Sequence, residues 1–147
     1  RTQAILRHVN DATEAMLEQA VNQRGYLLFR SDSTYGEVFV QRDRMVAEID
    51  AAKKVAASRP ALVASLDRMR AAADDYHTQL SQPQLAARKT TEVPLEEVIA
   101  LGNDRSTGQL DAFRAAADEI KHDAMALAED MLINNPLRIV GLEDAPY

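Results

Sequence analysis

The sequence predicts an all-α fold, an elongated antiparallel four-helix bundle with a short extra helix before the last long one. Two observations lead there. Apolar residues recur at steps of three and four over most of the chain, which places them on one face of a helix. Ala, Leu, Glu, Asp and Arg dominate the composition, while Gly and Pro number only five each, too few for a turn-rich β fold.

The elements follow in order. From Arg1 to about Arg30, the residues Ile5, Val9, Ala12, Met16, Ala20 and Leu27 share a stripe. Thr34 and Glu37 are spaced as a capping box, in which each side chain satisfies a free backbone N–H at a helix start. A second helix then runs to about Ser58, with Tyr35, Val38, Arg42, Met45, Ile49 and Ala52 in phase. Pro60 suits the first turn of a third helix, whose stripe is Leu62, Leu66, Met69, Ala73, Tyr76 and Leu80. Pro83 is expected to end or kink it. A short helix from Pro94 to Leu101 stops at Gly102, and Gly102 to Arg105 reads as a loop. Ser106 and Gln109 form a second capping-box pattern. The last long helix carries Leu110, Phe113, Ala117, Ile120, Ala124, Leu127 and Met131. Helical order is assigned to residues 1–132. Residues 133–147, with Asn134, Asn135, Pro136 and Pro146, read as an irregular tail or juxtamembrane segment.

Charge and chemistry narrow the function. The 17 basic and 23 acidic residues give a net charge of −6. A nucleic-acid partner is not expected, because such binders need a basic face. With no Cys, disulfides, zinc fingers and thiol nucleophiles are excluded. No apolar run approaches the ~20 residues of a membrane span. The chain opens at Arg1, without Met, inside a helical pattern, as expected of a segment from a longer protein. Gly102 to Gly108 lacks the Gly spacing and the Lys of a P-loop. No catalytic residue and no cofactor are assigned.

The run Gln23-Arg24-Gly25-Tyr26-Leu27-Leu28 is the most specific stretch. It resembles the end of the first helix of the CHASE-type sensory domain of the third class. In that family a turn and an aromatic residue opening the second helix come next, where this chain has Ser31 to Tyr35. Tyr76, the Pro83-Gln84-Leu85 run and Arg88 are similar to the family's later pattern. So is Leu110-Asp111-Ala112-Phe113-Arg114 after Gly102. The resemblance implies an extracytoplasmic signal-input module between two membrane helices of a bacterial receptor, such as a histidine kinase, nucleotide cyclase or chemotaxis receptor. It also implies a homodimer in the parent protein, a periplasmic location and membrane attachment through flanking segments. Whether the stimulus is a small molecule or a protein is left open.

Gln23, Arg24 and Gly25 interrupt the first stripe, and a helical Gly costs about 1 kcal/mol relative to Ala, which close approach of a neighbouring helix would offset. Arg24 and Tyr26 are expected to form a polar lock, bonding to the turn or to Asp111, or else to contact a ligand. Arg88 and Arg114 are further ligand or signalling candidates, since Arg binds carboxylates bidentately. Gln23, Gly25, Tyr35, Tyr76, Pro83 and Asp111 are read as structural. Two other functions remain in play: a structural or partner-binding module without a ligand, and a di-metal carboxylate bundle. The metal reading would use Asp74 and His77, Glu119 and His122, with Glu14, Glu18 and Glu48. Phase opposes it, because His122 lies about 200° from Ile120 and should point to solvent. The His and acidic faces are expected to be solvated.

Overall fold

The computed structural model describes residues 1–102 and 106–134. Their order is α1 (Thr2–Phe29), α2 (Asp32–Val55), α3 (Pro60–Tyr76), a π-helical turn (His77–Ser81), α4 (Gln82–Lys89), α5 (Leu95–Ala100) and α6 (Ser106–Asn134). There is no strand among the described residues. The Asn103 to Arg105 part of the expected loop and the tail from residue 135 lie outside them. The side chains of Ser106 and Met131, on which the second capping box and the end of the last stripe rest, are not among those described.

Side-chain pairs fix the register. Numbers rising along α1 meet numbers falling along α2, as His8 bonds Glu48 at 2.7 Å and Glu14 faces Arg44 at 3.4 Å. Arg42 meets Asp74, and Lys53 meets Asp67, each within 2.7 Å, so α2 and α3 are antiparallel as well. Arg68 with Glu119 and Gln79 with Gln109 give the same sense for α3 and α6. Together with the α1–α6 contact, the four long rods close a ring of antiparallel neighbours. At 1.5 Å per residue the 28 residues of α1 span about 42 Å. Both ends of the described chain lie at one pole. The α1–α2 turn, α4 and α5 lie at the other, called distal below.

The core is made by the stripes read from the sequence. Ile5, Val9 and Met16 of α1 pack with Met45 and Ile49 of α2, Leu66 and Met69 of α3, and Phe113 and Ile120 of α6. Alanines between them, such as Ala12, Ala52, Ala73 and Ala117, are buried and let the rods approach. Burial of this apolar surface, at about 25 cal/mol per Å², holds the bundle. The surface ion pairs mainly set register, since exposed pairs contribute about 0–1 kcal/mol each. A smaller distal cluster joins Tyr26, Val38 and Leu85, with Tyr35 and Phe39 against it.

Two local expectations change. The capping box at Thr34 and Glu37 does not form, because α2 already begins at Asp32 after an extended Ser31. Thr34 Oγ1 instead donates to the Ser31 carbonyl, and Glu37 accepts from Gln41. Pro83 does not end the third rod. It sits in the first turn of α4, and the π turn before it absorbs the disruption. Proline clashes with the carbonyl four residues back. Lengthening the preceding turn moves that carbonyl away, so that Gln82 N–H reaches His77 O, five residues earlier. The chain therefore continues helical from Pro60 to Lys89.

The π turn also changes which residues face inward. Its extra residue rotates the helix phase, and neighbours are buried in pairs: Tyr76 with His77, Leu80 with Ser81, Gln84 with Leu85. His77, expected to flank the core and be solvated, is 7% exposed. Phe39 meets its ring edge-on at 6.1 Å.

Candidate functional site

The distal pole is held by a buried polar network. On α1, Gln23 continues the spacing of Met16 and Gln19 and precedes Tyr26, so it points inward and is 3% exposed. Its Nε2 donates to Gln84 Oε1 at 2.7 Å. Its Oε1 accepts from Ser81 Oγ at 2.5 Å. Gln84 Nε2 then donates to the Val98 carbonyl of α5 at 3.3 Å. The Tyr76 phenol lies beside Gln23 and Ser81. Burial pushes this phenol's pKa up, while the Arg24 charge and those two side chains act in the opposite direction. Four elements are thus tied at one level: α1, the π turn, α4 and α5.

The lock expected of Arg24 and Tyr26 is made by Gln23 instead. Arg24 lies one residue on, 100° around the helix, and is exposed. Neither it nor Asp111, which is also exposed, forms an ion pair among the described residues. Tyr26 is buried and belongs to an aromatic run: its ring is 5.0 Å from Tyr35, which is 5.1 Å from Phe39. Lys89 Nζ covers the outer face of Tyr35 at 4.1 Å. Gly25 is not explained by close packing, since an added Cβ would sit 3.5 Å from Thr34 Cγ2, an ordinary contact.

Arg88 has a definite structural partner. Its Nε donates to the Leu27 carbonyl at 2.6 Å, one of the last carbonyls of α1 that lack a helical partner. Arg30 returns the favour. It ends α1 in the left-handed region (φ 53°, ψ 33°), and its Nη2 donates to the Thr90 carbonyl beyond α4 at 2.8 Å. Two helix C-termini are thereby capped by each other's arginines, where cations also suit the helix dipole. Arg114 is exposed, a turn beyond the distal lining.

Above the network lies a cleft of about 330 Å³, bordered by α1, the π turn, α5 and the start of α6. Its floor is Gln23, Tyr76, Gln84 and Gly102; its sides are Leu28, Leu80, Ile99 and Leu110, and Arg24 stands at the edge. Gly102 fits closely here, because a Cβ would overlap Leu80 Cδ1 and sit 2.8 Å from Gln84 Nε2, so that both side-chain ends would have to shift.

The donors of the metal alternative disperse. Asp74 binds Arg42 and Arg70, Glu119 binds Arg68, and Glu48 binds His8 rather than His77. The His122 side chain is 85% exposed. No three His, Cys, Asp or Glu side chains converge among the described residues. Burial acts to raise the Asp74 carboxyl, but hydrogen bonds from Arg42 and Arg70 outweigh it and hold the pKa below the ordinary value.

Family comparison bears out the family resemblance. The CHASE3 domain family matches residues 1–132. The chain belongs to this family. CHASE3 domains are extracytoplasmic sensory modules of membrane receptors, so this domain is a sensory and not a catalytic unit. Comparison with curated proteins gives no significant match, and neither does comparison with solved structures. No helix among the described residues is long and apolar enough to cross a membrane.

Sequence reasoning missed Ser81, Gln84 and His77 as buried polar groups. Nothing in the spacing reveals a π turn, apart from Pro83. Gln19 and Gln23 were detectable by phase, since both fall on the stripe of Val9, Ala12 and Met16.

Proposed function

We propose that the chain is the periplasmic signal-input domain of a bacterial inner-membrane receptor, relaying a helix shift from its distal pole to a cytoplasmic output region. The supporting observation is the membership of a sensory family in a bundle whose α1 and α6 run antiparallel and end together at the pole opposite the cleft. A stimulus there touches α1 through Arg24 and Leu28 and α6 through Leu110. Packed helices respond to such contact by small discrete shifts of about 1–2 Å, and a ligand can drive one only by its differential affinity for the two states. The output region is of the kinase, cyclase or chemotaxis type.

A homodimer suits this relay. Leu17, Val21 and Leu28 are large, exposed and in phase along the outside of α1, which fits pairing of α1 with its copy. The same stripe favours a second reading, a partner-binding or dimerisation module without a small ligand. Reporter fusions test location: alkaline phosphatase joined behind this domain in the parent gene should be active, and a cytoplasm-dependent reporter should not. The reverse pattern refutes the proposal.

A further inference from the structure

The distal cleft has a chemistry that limits what it can hold. Its amides are engaged: each polar atom of Gln23 and of Gln84 already has a hydrogen-bond partner within the network. A ligand therefore finds no unpaired amide on the floor. What remains is an apolar wall of Leu28, Leu80, Ile99 and Leu110, and one charge. Arg24 is that charge. Among the described residues no acidic side chain lines the cleft, although the chain as a whole carries −6. Among the described residues Arg24 has no ion-pair partner, and its charge lies close enough to act on the buried Tyr76 phenol at the cleft floor.

The cleft wall includes the π turn through Leu80. Such turns are frequent at functional sites. Gly102 keeps the space open, because any side chain there would meet Leu80 and Gln84. At about 330 Å³ the cleft is at the small end of ligand pockets, which run from ~300 to 1,000 Å³.

We propose that this cleft is the binding site of a small organic monoanion, its charged head on Arg24 and an apolar body of roughly six carbons, suited to a cleft this size, against Leu28, Leu80, Ile99 and Leu110. Arg24 would engage the head bidentately, as guanidinium does with carboxylates. The body would desolvate against the leucines and Ile99. This deepens the sensor reading by naming what the cleft takes, and it rests on that reading for the consequence of binding.

Hexanoate is the probe. Titrated into the 147-residue chain, it should shift the backbone amide resonances of Leu80, Ile99 and Gly102 saturably. Hexan-1-ol, of similar shape without charge, should bind at least tenfold more weakly. Acetate, with charge and no body, should also be at least tenfold weaker. Arg24→Gln should weaken hexanoate at least tenfold, and Arg24→Lys by less, because the charge persists without the bidentate fork. Arg24 is exposed, so both variants should melt as the parent does. Absence of saturable shifts overturns the proposal. So does equal binding to Arg24→Gln, or equal binding of hexan-1-ol. Binding is read on the chain alone, so those failures leave the sensory role standing. Failure of the sensory role would appear in the location and output experiments instead.

Discussion

Gln19 and Gln23 lie one helical turn apart on the same inward face of α1, and the same substitution should have opposite effects at the two. Gln23 is bonded on both sides of its amide, to Gln84 and Ser81. Gln23→Met keeps length and removes both bonds. Gln84 Oε1 and the fully buried Ser81 hydroxyl then lose a partner. A stranded buried group costs about 1–3 kcal/mol, and Ser81 can turn partly to Tyr76. The expected loss is about 2–3 kcal/mol from two such groups. With a urea slope of about 1–3 kcal/mol per M, the midpoint should fall by roughly 1 M. Gln19 is 0% exposed, and neither its Oε1 nor its Nε2 has a hydrogen-bond partner among the described residues. Gln19→Met removes an unsatisfied amide and should stabilise by about 1 kcal/mol or more. Urea unfolding at constant slope measures both. A double-mutant cycle of Gln23→Met with Ser81→Ala should show coupling of about 1 kcal/mol or more. Two midpoints moving in the same direction, or a cycle without coupling, would refute the network as described.

Other substitutions test the remaining contacts. Arg88→Leu should destabilise by about 1.5–3 kcal/mol, the value of a charged hydrogen bond, because Leu27 loses its cap; an unchanged urea midpoint would rule out that role. Gly25→Ala should stabilise by about 0.5–1 kcal/mol, whereas Gly102→Ala should destabilise through the clash with Leu80 and Gln84; calorimetric melts giving the reverse order would contradict the packing. Burial and the neighbouring Arg42 charge lower the His77 pKa below 6.5, against the opposing Asp74 charge. The unfolded chain then binds the proton first, so stability present above 6.5 is lost as pH falls through that value toward the lowered one. Urea midpoints between pH 7.5 and 5.5 should fall less steeply in His77→Leu than in the parent.

Much of the bundle could be read from spacing alone. Strict steps of three and four placed Leu62, Leu66, Met69 and Ala73 in the core, and Phe113, Ala117 and Ile120 opposite them, because burying a continuous apolar stripe dominates helix packing. The same phase argument correctly turned His122 outward. The distal pole was harder. The π turn breaks the 3.6-residue phase between Tyr76 and Gln84, so an extrapolated stripe misplaces His77 and passes over Ser81. The Gln-Arg-Gly-Tyr run marked the region of the site, yet the role belongs to the neutral Gln23. Arg24, the residue with the most obvious chemistry, is left facing the cleft. The cap was also misread at Thr34, where Asp32, two residues earlier in the first turn, offers the helix dipole a charge.

The central claim is that a stimulus acts by shifting α1 in a paired receptor, and single cysteines test it most directly. This domain has no Cys of its own, so Leu17→Cys, Val21→Cys and Leu28→Cys each give it a single thiol, to be placed one at a time in the full-length protein in its membrane with any Cys elsewhere replaced. Oxidation should link α1 to its copy at some of these positions, and a link should hold the receptor's output fixed, on or off, whatever the stimulus. Efficient links that leave the output and its response unchanged would contradict the account.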